Sequence, residues 1–326
     1  MLNRRSILAA PLLLPALAQG QGAEWRPTQS MRIVAPAAPG GTTDIMARLL
    51  AQHLHSRFGV NVVADNRSGG GGTIGTLDVL RAPPDGLTLL SGNIGPQSIA
   101  YSLFRNMGYR PESLAPVGNM IRGPNVLLLH PSIPARTVPE FVAHLKANPG
   151  RLAYGSSGVG QSPHLSGVWF TQLTGTEATH VPFRGAGPLM MDLIAGNIQF
   201  SFDNLTTSVQ QIRAGQVRAL AVTSADRNSQ VPELPPLRET MPELAGYEVN
   251  TWFGMFAHAA TPPAAIRVLN AEINALLNLP ETQARFAQMG GVPMPGSPDD
   301  FSAFVQAEIV KWRGVIQREG LQIDVS

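Results

Sequence analysis

Short apolar or β-branched runs alternate along the chain with segments whose apolar residues recur every three or four positions. The first period predicts strands and the second amphipathic helices. Arg32 to Ala35 reads as a strand, Pro39-Gly40-Gly41-Thr42-Thr43 as a tight loop, and Asp44 to Phe58 as a helix. Ile45, Leu49, Leu50, Leu54 and Phe58 share one face of that helix, and Gly59 stands where a terminating glycine belongs. Val60 to Ala64 is the next strand. The run Gly69 to Gly72 then leads into a helix over Thr73 to Arg81, and a Pro83-Pro84-Asp85-Gly86 turn precedes a strand over Leu87 to Leu90.

The middle of the chain repeats the theme. Strands are predicted at Asn125 to Leu129, Leu152 to Tyr154, His180 to Phe183, Ile198 to Phe202 and Val217 to Thr223. Between them come helices at Val138 to Asn148, Pro163 to Thr174, Leu189 to Ala195 and Ser208 to Ala214. The C-terminal third reads as helical. One helix starts at Thr261-Pro262, and the last starts at Ser297-Pro298-Asp299-Asp300 with the stripe Phe301, Phe304, Val305, Ile309, Trp312 and Ile316. Asp299 and Asp300 sit in a first turn, where capping explains them better than acid catalysis does. The β-loop-α order predicts an α/β fold, a mostly parallel sheet flanked by helices.

Composition narrows the function. The 326 residues suffice for two domains, and 44% hydrophobic with 14% charged residues supports a packed core. The 24 basic residues exceed the 22 acidic ones by two, and Arg4 and Arg5 lie in an N-terminal stretch without acids. The rest of the chain is balanced and has no basic run, which argues against nucleic acid as a partner. Without cysteine there are no disulfides, thiolate metal sites or Cys nucleophiles. Arg4-Arg5, the apolar stretch Ile7 to Ala18 and the small-x-small triplet Ala16-Leu17-Ala18 together predict an export signal over residues 1–18, cut after Ala18. Twelve apolar residues are too few to span ~30 Å of hydrocarbon. Asn3-Arg4-Arg5-Ser6 also fits a twin-arginine signal, so that route and the Sec route both stay open. The remainder is expected in the periplasm and not inserted in the membrane.

The informative chemistry lies in glycine- or serine-rich loops between a strand and a helix. Such a loop leaves the first helical N–H groups unpaired, and the helix dipole adds partial positive charge, so each is a candidate anion cradle. In an α/β sheet such loops gather in one crevice. Gly70-x-Gly72-x-x-Gly75 matches the dinucleotide fingerprint, but it follows the second strand and no acid ends the next one; no nucleotide cofactor is expected. Gly155-Ser156-Ser157-Gly158-Val159 lacks the second glycine of a nucleophile elbow. His53 and His55, two apart on a helix, cannot share a metal and read as surface residues. His164 and His180 border the loops and read as structural. Arg184 and Asp203 each follow a strand; the first suits a ligand carboxylate, and the second a ligand donor or a bridge to Arg184.

At these residues the chain resembles the substrate-binding proteins of tripartite tricarboxylate transporters, the Bug or TctC-like family. The likeness runs over about residues 25–323. It includes Ile33-Val34-Ala35-Pro36, Pro39-Gly40-Gly41-Thr42-Thr43-Asp44, Val63-Ala64-Asp65-Asn66-Arg67 and Pro84-Asp85-Gly86-Leu87-Thr88. Tyr154-Gly155-Ser156-Ser157-Gly158, Ser162-Pro163-His164-Leu165, His180-Val181-Pro182-Phe183-Arg184-Gly185, Phe202-Asp203-Asn204 and Trp252-Phe253-Gly254 follow in order. The resemblance implies a two-domain periplasmic solute-binding protein with its ligand cleft between the domains, and no catalysis. It implies that residues 24–123 with 226–326 form one domain and 124–225 the other.

It further implies that backbone N–H groups of two facing loops hold a ligand carboxylate. One loop runs over Ala38, Pro39, Gly40, Gly41, Thr42 and Thr43, the other from Ser156, Ser157 and Gly158 to Ser162. Asn93, Arg184, Asp203 and Asn204 would line the distal part. Where the family usually has an aromatic and a proline, this chain has Ala37 and Ala38, which implies a less bulky wall. The expected partners are a small organic carboxylate and the membrane permease subunits of a tripartite carrier, with the binding protein a monomer. The alternatives are a ligand sensor for a signalling receptor and, less well supported, a secreted α/β esterase. Trp252 and Phe253 are expected to pack in the core.

Overall fold

The computed structural model describes residues 25–104 and 106–321; the expected export signal lies outside them. The first stretch comprises β1 (Met31–Ala35), α1 (Thr42–Phe58), β2 (Val62–Asn66), α2 (Thr73–Leu80), β3 (Thr88–Asn93) and the short α3 (Ala100–Leu103). Then come β4 (Leu114–Leu129), α4 (Val138–Ala147), β5 (Ala153–Ser156), α5 (Ser162–Thr174), β6 (Thr179–Pro182), α6 (Ala186–Ala195), β7 (Phe200–Asn204), α7 (Leu205–Arg213) and β8 (Arg218–Val222). The last stretch holds β9 (Asn250–His258), α8 (Pro263–Leu277), α9 (Pro280–Gln288), β10 (Val292–Pro293) and α10 (Pro298–Arg318).

The fold is α/β as expected, but the sheet is mixed. Its order is β2-β1-β3-β9-β4-β7-β5-β6, with β8 and β10 also on β4. β1 pairs in parallel with β2 and β3, and β5 with β6 and β7, whereas β4 and β9 run against their neighbours. β4 joins the two halves. Leu114 to Pro124 pair with β9, and Asn125 to Leu129 pair with β7. Its first part is hidden in the sequence because Pro116, Gly118, Gly123 and Pro124 read as turn residues. The pairing accommodates Pro116 beside an irregularity in register, the kind of place where a strand tolerates proline. β9 likewise places a buried strand in a region that reads as helical.

Three passages of chain lie side by side between the halves. Thr223 N–H donates to Asn125 O (2.9 Å), and Val249 N–H donates to Thr223 O (2.9 Å). Residues 235–249, assigned to the first half from sequence, pack on the second. Tyr247 stacks on Trp169 at 4.8 Å, and its hydroxyl donates to Ser166 O on α5 (2.8 Å).

Helix ends follow their sequence signals. Gly59 ends α1 with φ 73°, the left-handed conformation that glycine adopts without strain. Ser297 Oγ accepts from Asp300 N–H, and Asp300 returns the bond to Ser297 N–H, which fixes the start of α10. The buried face of α1 is rotated from the expected one. Met46, Ala47, Leu50, Ala51 and Leu54 are buried, while Ile45 and Leu49 are only half-buried. Small alanines let the helix lie close to the sheet. His53 is not a plain surface residue: its Nε2 lies 3.0 Å from Glu272 Oε2 and ties α1 to α8, while His55 is exposed. Trp252 packs as expected, edge-on to Phe301 at 5.8 Å, and its indole N–H donates to Glu308.

Candidate functional site

A cavity of about 590 Å³ lies between the two halves. Its size is that of a small-molecule site. Four helices point their N-termini into it: α1 at Gly41 and Thr42, α2 at Gly72 and Thr73, α5 at Gln161 and Ser162, and α6 at Gly185 and Ala186. Among the described residues no side chain caps any of the four. Their first N–H groups and dipoles therefore favour an anion in front of them. Arg184, exposed at the rim, is the single charged side chain lining the cavity among the described residues.

The first wall is the turn between β1 and α1, and a buried carboxylate organises it. Asp44 accepts hydrogen bonds from Gly40 N–H (3.1 Å), Arg48 Nε (3.1 Å) and Asn66 Nδ2 (3.0 Å). Asn66 Nδ2 also donates to Ala37 O (2.9 Å), so the start of the turn is tied to the same centre. Burial alone raises the carboxyl's pKa. The bonds from Arg48, Gly40 and Asn66, with the charge of Arg48, outweigh it and hold the group below its ordinary 3.8.

The second wall, between β5 and α5, rests on neutral imidazoles. Ser156 Oγ lies 2.7 Å from His180 Nε2 and accepts from Gly158 N–H (3.3 Å). His164 Nδ1 accepts from Gly160 N–H (3.2 Å), so that nitrogen carries no proton. The two rings stack with centroids 3.8 Å apart and planes 8° from parallel. Burial pushes His180 down to about 4, and burial with the charge of His180 pushes His164 down to about 3. The sequence shows no serine–histidine pair; the fold makes one, but Ser156 is fully buried and does not line the cavity. It braces the loop.

Hydrogen bonds also cross the cleft between the two halves. Ala38 N–H donates to Arg184 O (2.7 Å), Gln161 Nε2 donates to Gly71 O (2.8 Å), and the hydroxyls of Thr42 and Thr206 lie 2.5 Å apart.

Of the residues singled out from sequence, Gly41, Thr42, Thr43, Ser157, Gly158, Ser162, Arg184 and Asn204 line the cavity. Asn204 is buried, and its Oδ1 has no partner among the described residues. Ala38, Pro39, Gly40, Asn93, Ser156 and Asp203 do not line it. Ala38, Pro39 and Gly40 form the turn against the opposite wall. Asn93 stands behind Thr43, with its Nδ2 3.3 Å from Thr43 Oγ1. Side chains alternate along β7, so Asn204 facing the cavity turns Asp203 away. Asp203 accepts from Thr207 Oγ1 (3.1 Å) instead of bridging to Arg184, and burial raises its carboxyl to about 7 against the bonds from Asn204 N–H and Thr207.

Ser68 to Ile74, Phe104, Asn106, Met107 and Thr251 also line the cavity, and the sequence motifs do not single them out as ligand contacts. The glycine run fails as a nucleotide motif, and its density is the signal that points to the cleft. Phe104, Met107 and Phe253 supply apolar surface beside the small Pro36-Ala37 wall.

Residues 46–321 match the family described as tripartite tricarboxylate transporter family receptor. BugT of Bordetella pertussis is 34% identical over 304 residues, covering 92% of each chain. The R. palustris protein Rpa4515, solved with adipate, is 36% identical with a TM-score of 0.87, over 91% of this chain and 99% of that one. MatC of Rhodopseudomonas palustris, solved with malate, is 30% identical with a TM-score of 0.84, over 89% and 99%. A two-part α/β fold around an anion-favouring cleft defines a solute-binding protein. This chain belongs to the tripartite tricarboxylate transporter receptors, the Bug proteins among them.

Proposed function

We propose that this receptor holds a small dicarboxylate between its two halves and presents it to the membrane subunits of a tripartite carrier. The observation that carries the reading is the convergence of four uncapped helix N-termini on one cavity. They take one carboxylate through backbone N–H groups. Arg184 takes the second, its planar fork matching a carboxylate's two oxygens. The bound adipate of Rpa4515 and malate of MatC are both dicarboxylates, which supports the assignment. The moving bodies are residues 25–123 with 250–321, and residues 124–249, hinged where Asn125, Thr223 and Val249 run together. The closed form is what the carrier recognises. The protein works in the periplasm as a monomer after export through residues 1–18, and it catalyses nothing.

A thermal-shift screen of residues 19–326 against small carboxylates tests the reading. A ligand at ~100-fold over its Kd adds about 2.7 kcal/mol. Dicarboxylates are expected to raise the midpoint most. Folded, ligand-free protein that responds to no carboxylate contradicts the reading.

A further inference from the structure

Backbone meets backbone at two places across the cleft, and a glycine makes each approach possible. A Cβ on Gly71 would lie 2.2 Å from Val159 O, and one on Gly187 would lie 2.5 Å from Pro39 O. Both distances are far below van der Waals contact, and a backbone oxygen cannot swing aside as a side-chain tip can. Beside Gly187, a Cβ on Gly185 would reach 3.0 Å from Ala38 N, the group that bonds Arg184 O.

Gly71 and Gly185 have local reasons to be glycine, with φ of 60° and 140°. Gly187 is not among the glycines of positive φ; it lies in the first turn of α6, and the local constraint on a Cβ there is the ring of the following Pro188. The three nearest atoms that a Cβ at this position would meet belong to Pro39 and Gly40, both across the cleft.

We infer that Gly187 is a positioning residue for cleft closure: its bare backbone lets α6 meet the Pro39-Gly40 turn and so sets how far the two halves close. The inference rests on the cavity being the ligand cleft. Gly187→Ala is then a substitution that each folded half accepts at a small local cost and that the closed arrangement refuses. It favours the open form without touching the ligand.

The chain has no cysteine, so Val63→Cys on β2 and Lys146→Cys on α4, both exposed, give one spin label on each half. Pulsed electron paramagnetic resonance reads the distance between them with and without adipate. The labelled parent is expected to show a short-distance population that adipate increases. With Gly187→Ala added, that population shifts to longer distance and adipate binds at least tenfold more weakly, since apparent affinity falls with the fraction able to close. Without adipate the variant still unfolds cooperatively, its midpoint lowered only by the local cost of a Cβ before Pro188. Gly314→Ala on α10, where a Cβ meets nothing within 4 Å, leaves the distances alone.

An unchanged short-distance population in Gly187→Ala overturns the inference. So does a parent that never reaches the short distance, or a variant that no longer unfolds cooperatively without adipate, which would assign Gly187 to ordinary packing. If the parent binds no carboxylate, the dicarboxylate reading fails separately, and the distance comparison still decides the role of Gly187.

Discussion

The two walls of the cleft do one job with opposite electrostatics. Each presents the uncapped start of a helix to the cavity. Behind the first stands an ionised carboxylate, Asp44, held by Arg48 and Asn66. Behind the second stand two neutral imidazoles, His164 and His180, stacked face to face. A charged centre ties the first wall together, and a neutral one the second. Acid should therefore undo them at different points, the second wall first.

The largest expected effect follows from that order. Both histidines titrate below 6.5 in the folded chain, so the unfolded chain binds protons first as pH falls. Their contribution is full above pH 6.5 and drains away between 6.5 and the folded values near 4 and 3. Two rings over two pH units amount to a loss on the order of 4 kcal/mol. Asp44 behaves differently: with its folded pKa below 3.8, its contribution is full above 3.8 and is lost only as pH falls further. Asp203, whose carboxyl is raised to about 7, gains stability over the same window and offsets part of that loss, so the decline is read as the difference in urea unfolding at pH 6.5 and 4.5 between the parent and a His164→Asn/His180→Gln variant, which should lose less. An equal decline in the variant would remove the histidines from the second wall's account.

At pH 7, Asp44→Ala leaves Gly40 N–H, Asn66 and Arg48 without their acceptor. A loss of about 3 kcal/mol is expected from denaturant unfolding. A loss near zero would mean the first wall does not depend on its charged centre. Arg184→Ala should weaken adipate about tenfold and leave hexanoate unchanged, read by titration calorimetry. Equal weakening of both would place Arg184 outside the distal site. The smallest effect belongs to the hydroxyl contact between the walls. Thr42→Val orphans Thr206 and should cost about 1 kcal/mol, while Thr42→Val with Thr206→Val should recover most of it.

What the sequence disclosed of this comparison was its front and not its back. Each wall is a strand, a glycine or serine turn and a helix, so the cradles and most of their residues are local features. The groups that brace them are not. Asp44 and Asn66 stand 22 residues apart, Ser156 and His180 stand 24 apart, and only the finished sheet brings them together. The same limit hid β4 and β9. Pro116, Gly118, Gly123 and Pro124 carry turn signals that tertiary pairing overrides, whereas the ends of α1 and α10 depend on neighbours a few positions away and were legible. Asp203 was misplaced because strand alternation lets only one of two adjacent polar residues face the cleft, and the sequence does not say which.

On the proposed function, the cleft takes two carboxylates, one on helix ends and one on Arg184. Isothermal titration of residues 19–326 with adipate and with hexanoate, equal in length and different by one carboxylate, tests it most directly. Adipate is expected to bind at least tenfold tighter than hexanoate. Equal affinity for the two, or no binding of either by folded protein, would contradict it.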